Sequence, residues 1–66
     1  MTKVVERINE LRKERNLTCQ ELARLAGITP ATLINWNKGR TKPNPVLLKK
    51  VADALGCDYN ELFKLL

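Results

Sequence analysis

The stretch LTCQELARLAGITPATLINWNKGRTKPN, Leu17 to Asn44, decides the fold. Thr18 followed by Glu21 is a capping-box pattern, in which a hydroxyl and a carboxylate satisfy backbone donors that a helix start leaves unpaired. Leu22, Ala23 and Ala26 then make an apolar stripe at helical spacing, which predicts a helix over about residues 19–26. Gly27 is the residue expected just past a helix C-terminus. Thr29 as N-cap, with Pro30 at the first helical position, opens another helix over about residues 30–37, and Gly39 closes it. The two are joined by three or four residues containing a glycine, a length that sets two helices at a steep angle. Such a pair can bury Leu22, Ala23, Ala26, Ile28, Leu33 and Trp36 while leaving the outer face of the second helix free.

Outward from this pair the apolar period stays helical. Val4, Val5, Ile8 and Leu11 predict a first helix over about residues 3–15, ended by Asn16. Arg40-Thr41-Lys42-Pro43 reads as a loop. Asn44 and Pro45 repeat the N-cap arrangement and open a helix over about residues 45–55, with Leu48, Val51, Ala52 and Leu55 inward and Gly56 at its end. Asp58 with Glu61 resembles a capping box and opens a last helix over about residues 59–65, in which Tyr59, Leu62, Phe63 and Leu66 share a face. Leu25, Ile34 and Leu47 exceed these inward stripes. Connections of a few residues require the five helices to pack as one cluster, so the expected fold is an all-α, single domain spanning residues 1–66.

Composition narrows the function. A chain of 66 residues supports one small core and leaves little room for an enzyme's cleft. There is no histidine, no nucleophile beside a base and no phosphate loop, so an enzyme is not expected and no cofactor is implied. Cys19 and Cys57 are 38 positions apart with no CxxC pairing, which offers zinc no ligand set. Without a signal-peptide pattern, two reduced thiols in a cytoplasmic protein are the expectation. No apolar run approaches the roughly 18 residues of a membrane span. Net charge is +5, and its placement is informative: six basic residues and no acid lie between Leu22 and Ala52. A basic block flanked by mixed charge suits a phosphate-facing surface, because neutralised phosphates release condensed counterions.

Leu17 to Asn44 closely resembles the helix-turn-helix family of phage repressors and Cro proteins, the XRE family of lambda-repressor-like domains. The matching features are L-T-x-x-E-L-A, the A-G-I turn, a polar helix start and W-x-x-G-x-x-x-P, and the resemblance extends from about Val5 to Phe63. It implies five helices, the third lying in the major groove of double-stranded DNA while the second crosses the backbone. Carried over by position, the base-facing residues are Thr29, Pro30, Ala31 and, one turn later, Asn35. The Asn35 carboxamide can give a donor and an acceptor to adenine, and Ala31 can touch a thymine methyl. Pro30 stands where related repressors often place a glutamine, and it has no donor. Cys19 stands where another glutamine often braces that residue and a phosphate. Backbone-contacting candidates are Thr18, Cys19, Gln20 and Thr32, together with Lys38, Arg40, Thr41 and Lys42 of the following loop. Readout is therefore expected to lean on Asn35, apolar contacts and DNA shape. The family's frequent arginine–glutamate pair becomes Arg12 with Asn37, an expected arginine–amide bond that leaves Arg12 freer to reach a phosphate. For Cys19, a redox role at a helix N-terminus stands against that of a partly buried filler.

Family members commonly bind pseudo-palindromes as dimers, often through the last helix. Tyr59, Leu65 and Leu66 are the candidates for that interface, unless these leucines simply finish the core. The resemblance implies a sequence-specific transcription regulator, expected to be a dimeric repressor residing with the nucleoid. The competing expectation is a protein-interaction module of the same fold, antitoxin-like or held by a protein antagonist, with DNA binding secondary.

Overall fold

Every helix starts or stops on a local signal. In the computed structural model, which describes residues 3–66, the elements are α1 (Lys3–Glu14), α2 (Cys19–Ala26), α3 (Pro30–Asn37), α4 (Pro45–Leu55) and α5 (Tyr59–Phe63). No strand occurs among the described residues. The capping box before α2 is closed: the Glu21 N–H donates to the Thr18 hydroxyl at 3.1 Å, and the Thr18 N–H donates to the Glu21 carboxylate at 2.9 Å. At the other end Gly27 takes a left-handed φ of 71°, and the Ile28 N–H reaches back to the Ala23 carbonyl at 3.0 Å. Asn16, at φ 55°, ends α1 with the same device, and the Leu17 N–H bonds the Arg12 carbonyl at 3.0 Å. Asparagine is one of the few side-chain-bearing residues that adopts this conformation readily. The Asn44 carboxamide oxygen accepts from the Leu47 N–H at 2.9 Å and so caps α4.

Three local expectations are corrected. α1 ends one residue early, at Glu14, and α5 ends at Phe63 rather than 65. The last residues continue as tight turns, with the Leu65 N–H on the Leu62 carbonyl and the Leu66 N–H on the Phe63 carbonyl. The Asp58–Glu61 box does not close. Asp58 accepts from the Asn60 N–H at 2.9 Å, while Glu61 is drawn to Arg7 of α1, whose Nη2 and Nε donate to its Oε1 at 2.9 and 3.0 Å. A guanidinium offers a charged, forked partner that outcompetes a single backbone N–H.

The core is built from one stripe of each helix: Val4, Val5, Ile8 and Leu11; Leu22, Ala23 and Ala26; Leu33 and Trp36; Leu48, Val51, Ala52 and Leu55; and Leu62. α2 is the central element, packed against both α3 and α4, and α5 bridges α4 and α1. Ala23 and Ala52 are both fully buried on the two packed helices α2 and α4, where small side chains allow close approach. Each buried leucine contributes about 1.5–3 kcal/mol relative to exposure. Phe63, expected inward, is 47% exposed; Leu62 takes the core position, and Phe63 stacks on Tyr59 with ring centroids 5.4 Å apart. Leu47, expected outside the stripe, is half-buried against the core. Among the described residues no helix is long and apolar enough to cross a membrane.

Candidate nucleic-acid interface

α3 is held by two inward side chains, Leu33 and Trp36, three positions apart. Helical geometry therefore turns Ala31, Ile34 and Asn35 to the opposite side, with Pro30 at its margin. Pro30, Ala31 and Ile34 are exposed and Asn35 is half-buried. Thr29 sits at the N-cap but no side chain caps the helix there; its hydroxyl pairs instead with that of Thr32 at 2.9 Å. The first turn thus presents two hydroxyls and an apolar surface, as its composition suggests.

Beyond α3, Gly39 adopts φ 72°, and the Arg40 N–H folds back onto the Asn35 carbonyl at 2.9 Å. Pro43 is buried and pins the far end of the loop. Between them Arg40, Thr41 and Lys42 are all exposed, as is Lys38 just before the glycine. Several cations elsewhere are paired with acids: Arg7 with Glu10 and Glu61, Arg15 with Glu14, and Lys49 with Asp53. Lys38, Arg40 and Lys42 have no acidic partner among the described residues, so their charge is available to an outside anion.

At the start of α2, Thr18 and Gln20 are exposed, whereas Cys19 is half-buried. The Cys19 sulfur accepts from the Asn37 carboxamide at 3.8 Å and lines a narrow crevice with Asn9, Arg12, Trp36 and Asn37. Its side chain is engaged within the fold, which leaves Thr18 and Gln20 as the exposed side chains at this helix start. The Thr18 backbone N–H, and then its hydroxyl, hold the Glu21 carboxyl below its ordinary pKa.

Arg12 does not bond Asn37. Its Nη1 donates to the Leu17 carbonyl at 2.7 Å and its Nε to Asn9 Oδ1 at 3.4 Å, while Asn9 Nδ2 donates to Asn37 Oδ1 at 2.8 Å. Asn9 is placed between the two, and a carbonyl just past the end of α1 claims the guanidinium, so Arg12 is occupied rather than free. Asn9 is not singled out by the sequence, and Ile34 is marked there only as exceeding the inward stripes. The signal for Ile34 is present, since it lies four positions after Pro30 and three after Ala31.

Of the proposed interface residues, Tyr59 and Leu65 are half-buried against the core and Leu66 is 53% exposed. Leu65 and Leu66 line a shallow groove with Val4, Lys42 and Pro43. No group of three or more metal-ligating side chains occurs among the described residues.

The helix-turn-helix family HTH_3 matches residues 8–62, which takes in the end of α1, the whole α2–α3 pair and most of α5. The chain belongs to this family. Members of HTH_3, the XRE-type helix-turn-helix proteins, are DNA-binding regulators rather than enzymes. An HTH-type transcriptional regulator of Methanothermobacter thermautotrophicus is 44% identical over 54 residues, 82% of this chain and 78% of that one. The HTH-type transcriptional repressor RghR of Bacillus subtilis is 38% identical over 58 residues, 86% of this chain and 43% of the repressor. Among solved structures, an HTH_3 regulator from Vibrio cholerae superposes with a TM-score of 0.84 at 27% identity, covering 96% of this chain and 35% of that one. The P22 c2 repressor in complex with a synthetic operator superposes with a TM-score of 0.79 at 26% identity over 94% of each chain. The chain thus spans most of the Methanothermobacter relative but less than half of RghR and of the Vibrio regulator.

Proposed function

We propose that this helix-turn-helix regulator acts as a repressor that binds a pseudo-palindromic operator as a dimer, with α3 in the major groove. Thr29, Pro30, Ala31 and Asn35 face base edges in this reading. Asn35 supplies an amide to adenine and Ala31 a contact to a thymine methyl. Thr18, Gln20, Thr32 and the backbone N–H groups beside Cys19 meet phosphates at the start of α2 and along α3, where helix N-termini favour anions. Lys38, Arg40, Thr41 and Lys42 grip the sugar-phosphate backbone and set register without reading sequence.

The observation that carries this reading is the set of three acid-free cations at and just beyond the end of a helix whose outer face the fold leaves uncovered. Its likeness to the P22 c2 repressor in complex with a synthetic operator supports operator binding. Leu66, with the half-buried Leu65 and Tyr59, is the surface for a two-fold contact that would space two recognition helices about 34 Å apart. A role at the nucleoid follows from operator binding.

Selection from random duplex DNA at physiological salt, followed by sequencing of the retained molecules, tests the proposal. An enriched dyad with half-sites about one turn apart is the expected result. Absence of any enriched sequence would overturn operator recognition and move a protein partner or antagonist, docked at the Leu65–Leu66 groove, to first place.

A further inference from the structure

We infer that Ile34 is a specificity-determining residue of α3 that reads the C5-methyl group of a thymine, an inference that rests on the DNA-binding reading above. α3 is apolar on both sides. Leu33 and Trp36 enter the core, while Pro30, Ala31 and Ile34 form a second apolar strip at i, i+1 and i+4 that stays exposed. A helix with an exposed apolar strip on the side away from its core-facing one suits a place between two partners, and here the fold supplies only one.

The chemistry of the missing partner follows from what surrounds the strip. Ile34 is 42% exposed and adjoins Asn35, while Lys38 and Arg40 follow within six positions and carry positive charge that no described acid pairs. An apolar protein surface would satisfy the isoleucine and leave the amide and the cations unanswered. The major groove answers all three: phosphates for the cations, base edges for the amide, and thymine methyls as the apolar groups displayed beside them. An adenine and the thymine paired with it show their carboxamide-matching edge and their methyl in the same groove, so Asn35 and Ile34 together suit an A·T pair or two adjacent ones. Isoleucine is also well chosen for the task. Its β-branch fixes χ1 in a helix, so its methyl groups stand at a defined place before DNA arrives, and little rotamer freedom is lost on contact.

The test uses the duplex enriched from random sequence, with each thymidine of a half-site replaced in turn by deoxyuridine, which removes the methyl and nothing else. Wild-type protein is expected to lose about fourfold in affinity at the position under Ile34, the worth of one buried methyl. Ile34→Ala should bind the thymine duplex more weakly and no longer distinguish thymine from uracil at that position, while still doing so at a position read by Ala31. Ile34→Val, which keeps the β-branch, should restore part of the discrimination. An enriched operator at which no thymine-to-uracil change depends on Ile34, with Asn35→Ala still altering base preference, would overturn the Ile34 assignment and leave operator binding standing. Failure to enrich any duplex would overturn both.

Discussion

The Asn9 carboxamide of α1 donates to Oδ1 of Asn37, the last residue of α3, at 2.8 Å and across 28 positions of sequence. The Asn37 amide in turn donates to the Cys19 sulfur, so three helices meet on one carboxamide. Both asparagines are half-buried and the Asn9–Asn37 bond carries no net charge. Asn9→Ala and Asn37→Ala should each cost about 1 kcal/mol, and the double variant should lose less than the sum, because the two share one bond. Urea denaturation at low and high salt checks this. A neutral bond predicts equal losses at both, whereas a loss that shrinks with salt would mean that the junction is held chiefly through Arg12.

Acid should weaken the start of α2. The Thr18 N–H, followed by its hydroxyl, lowers the pKa of Glu21. A carboxylate depressed in the folded state stabilises it above the unfolded pKa and loses that contribution as pH falls through the folded value. Glu21→Gln keeps an acceptor at this position without the charge. Thermal melts should therefore show the wild type ahead of Glu21→Gln at neutral pH, with the gap closing below the ordinary carboxylate range. A gap that persists into acid would disprove the assignment.

Gly39 joins the end of α3 to the basic loop. Its φ is 72°, and a Cβ built there would meet nothing within 4 Å, so a substitution costs backbone conformation alone. Gly39→Ala is expected to lose about 1 kcal/mol, and Gly39→Asn distinctly less, because asparagine tolerates the left-handed region. Equal losses for the two variants in chemical denaturation would show that something other than backbone conformation sets the cost.

Neutralising the loop separates grip from readout. Arg40→Gln and Lys42→Gln should weaken binding to all duplexes alike and lower the slope of log affinity against log salt by about 0.9 for each phosphate that is no longer neutralised. Titrations over a range of salt measure this directly. A slope unchanged by either substitution would remove that residue from the interface.

Helix positions are largely legible in the sequence because their signals are local: Thr18 with Glu21, Gly27, Asn44 with Pro45, and Gly56 each act within a few residues of themselves. The inward face of α5 is not, because five residues make too few turns to fix a phase, and only packing against α4 and α1 selects Leu62 over Phe63. The partners of Arg12 and Glu61 are hidden for a related reason. Each has a backbone group or an opposite charge within reach, and the choice is made in three dimensions, where Asn9 and Arg7 intervene. The loop cations can be placed from sequence, but that they lack acids depends on where Glu10, Glu14, Asp53 and Glu61 turn.

Only Leu33 and Trp36 anchor α3 in the core. Among the described residues, Asn37 at its end adds a polar tie to α1 through Asn9. Exchanging the exposed Ala31 leaves Leu33, Trp36 and the Asn37 tie in place, so the first turn of the helix can change its outer surface while its anchors stay as they are. In a scaffold arranged in this way the side chains that hold a helix and those that it shows to the outside are different ones.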